Sequence, residues 1–164
     1  MLIRQEMRPA GEGVGTMERD WNLLATSSHY KTAVAVHEEL RAGDIKNAIS
    51  GLEELIEALS RSDERALESY LTRLMQHIIK WKLQPERRTP SWVSTIRYAR
   101  RQVRKLQKEN PRFTDDWIRA QWNDMLEGAA DEAQTDLDQE IQQPSPLTWT
   151  EVFDAEYRVE KRDH

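Results

Sequence analysis

The run HIIKWKLQPERRTPSW, residues 77–92, decides how the chain is read. Its first part continues a helical pattern, and Gln84-Pro85 ends it, because the residue before a proline avoids the α region. Thr89-Pro90 opens the next helix, with Thr89 as N-cap and Pro90 at the first helical position, where an amide is not needed. Two of the six tryptophans, Trp81 and Trp92, fall here, at the start of the strongly basic part of the chain. The run reads as helix, turn, helix. It announces no reaction.

Working back from it, Leu67, Tyr70, Leu71, Leu74, Ile78 and Trp81 share one side of a helix at ~100° per residue, with Ile79 roughly opposite. A helix apolar on more than one side is central to its fold. The pattern predicts this central helix over 63–83, capped by Ser62 and started by Asp63 and Glu64, which suit a positive helix N-terminus. Before it, 45–60 carries the best amphipathic pattern in the chain. Ile45, Ala48, Ile49, Leu52, Leu55, Ile56 and Leu59 follow the i, i+3, i+4, i+7 rule, and Gly51 lies off their stripe. In Arg41-Ala42-Gly43-Asp44, the glycine suits a left-handed helix end and the aspartate a new N-cap. From Asp20 to Arg41 the helical pattern is weaker, with a break and a fresh cap at Thr26-Ser27-Ser28. Residues 1–17, with three glycines and one proline, read as a flexible N-terminal tail.

Working forward, Trp92, Ile96, Ala99, Val103 and Leu106 are spaced 4, 3, 4, 3, a narrow heptad seam. It ends at Asn110-Pro111. The seam calls for one facing helix, from the same chain or from a second copy, and Trp117, Trp122 and Met125 of the same chain, which need a partner, favour the first. Thr114 caps a last long helix, with Asp115 and Asp116 in its first turn, which runs on towards Pro144. Leu147, Trp149, Val152, Phe153 and Tyr157 predict a short helix docked on the body. The sum is an all-α fold, a single helical bundle of about five or six helices over residues 18–164.

Composition narrows the function classes. The chain has 164 residues, 38% hydrophobic and 32% charged, with a net charge of −5. It has no cysteine, which excludes disulfides, thiolate catalysis and cysteine-ligated zinc. No apolar run approaches the ~20 residues of a membrane span, and the N-terminus is too poor in apolar residues for a signal peptide. A cytoplasmic protein is the expectation. Charge is divided unevenly. Residues 80–108 hold ten lysines or arginines and one acid, whereas 114–142 hold nine acids and one arginine. Two successive helices of opposite sign can pack together and neutralise each other.

The run at 77–92 resembles a bacterial family catalogued as domain of unknown function twenty-nine. The resemblance rests on His77, Lys80, Trp81, Gln84, Pro85, Arg88, Ser91 and Trp92 in that order. It is extended by Leu40-Arg41-Ala42-Gly43 and by the acidic stretch from Glu54 to Ser62, and covers roughly residues 30 to 157. The family more often has Glu and Gly where Leu55 and Ser60 stand here. What the resemblance implies is an all-α fold and no particular activity.

Two groups of residues are candidate sites. Glu54, Glu57, Arg73, His77, Lys80, Gln84, Arg88 and Trp92 form a polar cluster around the motif. Carboxylates near a histidine and a lysine can do acid–base work, or can fix helix register through ion pairs and hydrogen bonds. His77 is expected to be at least partly buried and neutral, bridging to the glutamates. Arg97, Arg100, Arg101, Arg104, Lys105 and Lys108 form a basic surface able to contact phosphates, with Trp81, Trp92 and Tyr98 available to stack on bases. No catalytic residue, metal site or cofactor is expected. The histidines at 29, 37, 77 and 164 lack ligand spacing, and no phosphate loop, nucleophile elbow or dinucleotide fingerprint occurs. The reading is a non-enzymatic protein-interaction module with an unidentified protein partner, as monomer or homodimer and without a membrane role. A nucleic-acid-associated accessory protein comes second and an unrecognised hydrolase third.

Overall fold

The computed structural model describes residues 18–141 and 146–161. The flexible tail expected at 1–17 and the stop expected at Pro144 lie outside the described residues. Among the described residues the fold is all-α. It comprises α1 (Trp21–Ser27), α2 (His29–Arg41), α3 (Ile45–Leu83), a 3-10 turn (Pro85–Arg87), α4 (Pro90–Glu109), α5 (Asp115–Leu137) and α6 (Trp149–Phe153). None of these helices is long and apolar enough to cross a membrane.

Most boundaries follow from local chemistry. Ser28 ends α1 in extended backbone and caps α2, its hydroxyl accepting from the Lys31 amide at 3.2 Å. Gly43 takes a φ of +82°, where a Cβ would be strained, and Asp44 accepts from the Asn47 amide at 3.1 Å. Thr89 and Thr114 cap α4 and α5 through the amides of Trp92 and Trp117. α5 stops at Leu137, short of the expected run to Pro144, because Asp138 turns left-handed with a φ of 48°.

One expected boundary is absent. The helices at 45–60 and 63–83 are a single helix, α3, and Ser62 lies inside it rather than capping anything. The polar groups of this stretch are used sideways. Ser60 Oγ accepts from Arg112 Nη1 at 2.9 Å, and Asp63 Oδ2 accepts from Asn110 Nδ2 at 3.1 Å, so this stretch of α3 holds the α4–α5 connection.

The chain divides between Leu59 and Ser60 into two compact units. In the first, α1 and α2 pack on residues 45–59 of α3 around Trp21, Ala35, Val36 and Ala48. The Trp21 indole donates to Asn47 Oδ1 at 2.8 Å, and its ring lies against Gly51. Here α3 buries Ala48, Gly51, Leu55 and Ala58. The aliphatic residues of the predicted stripe, Ile45, Ile49, Leu52, Ile56 and Leu59, are instead 44–60% exposed. A flat indole needs a flat seat, and the small side chains supply it. The buried row lies about 100° round the helix from the aliphatic one.

In the second unit, residues 60–83 of α3 supply the centre. Leu67, Leu71, Leu74, Met75, Ile78 and Ile79 are all fully buried, as two-sided apolarity predicts. Around them pack Ile96, Ala99 and Val103 of α4 and Ile118, Met125, Leu126, Ala129, Ala130 and Ala133 of α5. The α4 seam thus meets its partner helices within the same chain. Leu147 and Val152 anchor the final segment to this core.

Candidate functional site

Lys80 is the centre of the motif. It is buried on α3, and its ammonium meets Asp136 Oδ2 of α5 at 3.0 Å and lies over the Trp92 ring at 4.8 Å. Gln76, one turn earlier, donates to the same carboxylate oxygen at 2.7 Å. A buried ammonium needs an anion and a polarisable surface, and this site supplies both. Trp81, next along, lies between Arg88, whose guanidinium sits 4.5 Å over the ring, and Tyr157, which meets it edge-on at 5.5 Å. Arg88 also donates to the Trp81 carbonyl at 2.9 Å, tying the 3-10 turn back to the end of α3. Gln84 reaches Gln139 at 3.3 Å and accepts from Arg87 at 3.0 Å.

His77 is half-buried. Its Nδ1–H donates to the Arg73 carbonyl one turn back at 2.9 Å. Burial is the main cause pushing its pKa below 6.5. The Arg73 hydrogen bond opposes this, the Lys80 and Arg73 charges add to it, and Asp136 opposes it. His77 is therefore neutral at pH 7, but its bond stays within α3, and the bridge to a glutamate expected from the sequence is replaced by this local bond. The carboxylate that answers Lys80 is Asp136. Glu54 lies in the first unit and accepts from Asn22 Nδ2 at 3.1 Å, and Glu57 also belongs to that unit.

The lowered pKa carries a sign. The unfolded chain binds a proton to His77 near pH 6.5, and the folded chain only below that. Its contribution to stability is complete above that value, falls as the pH drops through it, and levels off below the folded pKa. Urea midpoints taken from about pH 8 down to about pH 5 should fall more steeply for the wild type than for His77→Gln. Parallel curves would mean that His77 titrates alike in both states.

The basic helix divides into two sets. Arg100, half-buried, and Arg104, exposed, are both engaged by neighbouring segments. Arg100 donates to the carbonyls of Glu151, Val152 and Ala155 at 3.0, 2.6 and 2.7 Å, so that one guanidinium closes the C-terminal end of α6. Arg104 bonds Asp115 at 2.8 Å and lies over Phe153 at 4.4 Å. The Gln107 hydrogen bond, with Arg104 behind it, holds the Asp115 carboxyl below its usual range against some desolvation. Lys105 lies 3.8 Å from Glu109 on its own helix. Arg97, Arg101 and Lys108 are exposed and have no ion-pair partner among the described residues. The acidic helix thus answers the basic region at two points, Lys80–Asp136 and Arg104–Asp115, and leaves a row of cations in solvent. Of the three expected stacking rings, Trp81 is buried, Trp92 lies beneath Lys80, and Tyr98 is exposed.

Sequence reasoning missed Asp136, Gln76, Glu151 and Tyr157. Asp136 is one of nine acids between residues 114 and 142, and nothing local distinguishes it. Lys82 meets Glu151 at 2.8 Å, and the Tyr157 hydroxyl donates to the Glu151 carbonyl at 2.7 Å. Among the described residues no group of three or more histidines, aspartates or glutamates could hold a metal ion.

The motif residues therefore hold α3, the 3-10 turn, α4, α5 and the final segment in register. Comparison with protein families matches the sequence to Domain of unknown function DUF29 over residues 30–158. The chain belongs to the DUF29 family. The match starts at Tyr30 in α2 and runs through the 77–92 motif to the final segment, so the Lys80, His77 and Arg100 contacts just described lie inside the DUF29 region. No curated protein and no solved structure matches the chain.

Proposed function

We propose that this DUF29 chain is a non-enzymatic protein-interaction module. The reading rests on the aliphatic row of α3. Ile45, Ile49, Leu52, Ile56 and Leu59 stand 44–60% exposed on a helix whose own unit buries a different side. Single exposed leucines are ordinary, but a contiguous apolar row marks a surface that another protein covers.

The polar cluster supports this reading over a hydrolase. Lys80 is committed to Asp136 and Trp92, and the Nδ1 of His77 to a backbone carbonyl, so each group has a structural partner. Nucleic-acid binding is the weaker alternative. Arg97, Arg101 and Lys108 could meet phosphates, but Trp81 and Trp92 are engaged by Tyr157, Arg88 and Lys80, and Tyr98, the exposed ring of the three, meets Tyr70 edge-on at 6.1 Å.

A photo-reactive amino acid placed at Leu52 in the native cell tests the reading. The expected outcome is a covalent adduct with a polypeptide, identified by mass spectrometry and absent when the same group replaces exposed Glu86. Equal labelling at both positions would refute the module.

A further inference from the structure

We infer that the aliphatic row of α3 is the seam of a two-fold, antiparallel homodimer, so that its occupant is the same row of a second copy. The inference rests on the interaction reading above and names its partner. Ile45, Ile49, Leu52, Ile56 and Leu59 are spaced 4, 3, 4, 3, the interval at which side chains of one helix seat in the gaps of another. A helix that follows this interval presents a strip one helix wide, which fits a single α-helix.

The charges beside the row select the second copy, its direction and its register. One flank of the row, formed by Ala48 and Leu55, is already buried in the first unit. The other flank carries Lys46 and Glu53, seven residues apart. Both are exposed, and neither side chain has an ion-pair or hydrogen-bond partner among the described residues. In an antiparallel pair centred between Ser50 and Gly51, Ile45 meets Ile56 of the second copy and Ile49 meets its Leu52. Both contacts occur twice by symmetry. The same register brings Lys46 beside Glu53 of the second copy, again twice, so the flank is complementary to itself.

The other arrangements lose this match. Centring the pair on Glu54 also aligns aliphatic layers, but it sets Glu53 against Glu53. In a parallel pair, Glu53 lies beside Ala48, and Lys46 gains no anion. A two-fold pairing also closes on itself, so the apolar row is covered without growth into a filament.

Sedimentation velocity of the full chain over a dilution series tests this. The wild type should show a concentration-dependent dimer. Leu52→Glu should be monomeric, with unchanged far-UV circular dichroism because the side chain is exposed in the single chain. Lys46→Glu should weaken the dimer by about tenfold at low salt, since it sets like charges together at two symmetric places. Combining it with Glu53→Lys should restore the wild-type constant to within about threefold, because the swap rebuilds both pairs. A wild type that stays monomeric throughout would overturn the homodimer, as would a dimer indifferent to Leu52→Glu. A double swap no better than Lys46→Glu would overturn the antiparallel register. A monomeric wild type that still cross-links through Leu52 to a different protein would leave the interaction module standing and remove only the second copy as its occupant.

Discussion

Arg100→Met should lower the unfolding free energy of the second unit by about 3 kcal/mol. The guanidinium donates to three carbonyls at the end of α6, and hydrogen bonds involving a charged group contribute ~1.5–3 kcal/mol each. They do not add in full, because a short surface helix lets water reach some of the freed carbonyls. Methionine keeps much of the stem's packing, so the loss reports on the hydrogen bonds. Tyr157 loses its cation at 5.4 Å as well. The final segment should loosen first. Trp149, stacked 5.7 Å from Trp122, would lose its fixed environment, which near-ultraviolet circular dichroism detects. Arg101→Met is the control. Arg101 is exposed and has no ion-pair partner among the described residues, so its replacement should change stability by no more than ~0.5 kcal/mol. Equal urea midpoints for the two variants would show that α6 does not depend on Arg100.

The other large effect lies in the first unit. Trp21→Ala removes the largest member of a small core and should cost ~3–5 kcal/mol, enough for the amides of α1 to exchange as in an unfolded segment. Gly51 explains the direction of a second result. A Cβ at this position would lie 2.7–2.8 Å from three atoms of the Trp21 ring, closer than packed carbons tolerate. The ring is buried and held by Asn47, so Gly51→Ala should destabilise by ~1–3 kcal/mol through overpacking. With Trp21 already replaced by alanine, the same change should stabilise by about 1 kcal/mol, the ordinary helix preference for alanine over glycine. Hydrogen exchange of α1 and α2 in the four chains of this cycle gives the coupling. A Gly51→Ala effect of the same sign in both backgrounds would mean that the ring does not press on Gly51.

Much of the fold was legible in the sequence because the signals are short-range. Ser28, Asp44, Thr89 and Thr114 each bond the amide three residues ahead, so the chain carries both halves of each cap. Gly43 is legible for a similar reason, since its positive φ is a local demand. The two-sided apolarity of 63–83 also announced a buried helix, because a helix can hide two faces only by being surrounded. The DUF29 motif was legible as a string, and its all-α implication holds.

The tertiary structure decided the rest, because it depended on shape and partners distant in sequence. Ser62 has the chemistry of a cap, but α3 continues through the expected break, and its neighbours Ser60 and Asp63 bind Arg112 and Asn110, some 50 residues on. Asp136, one acid among nine, became the counter-ion of Lys80 because α5 brings it beside that ammonium. Arg100 and Arg101 are neighbours of identical chemistry, yet one points into the end of α6 and the other into solvent. The 45–59 segment shows the division most clearly. Its sequence established a helix with an aliphatic row. Which side faced inward was decided by the flat indole of Trp21, which seats on Ala48 and Gly51 and leaves the aliphatic row outside.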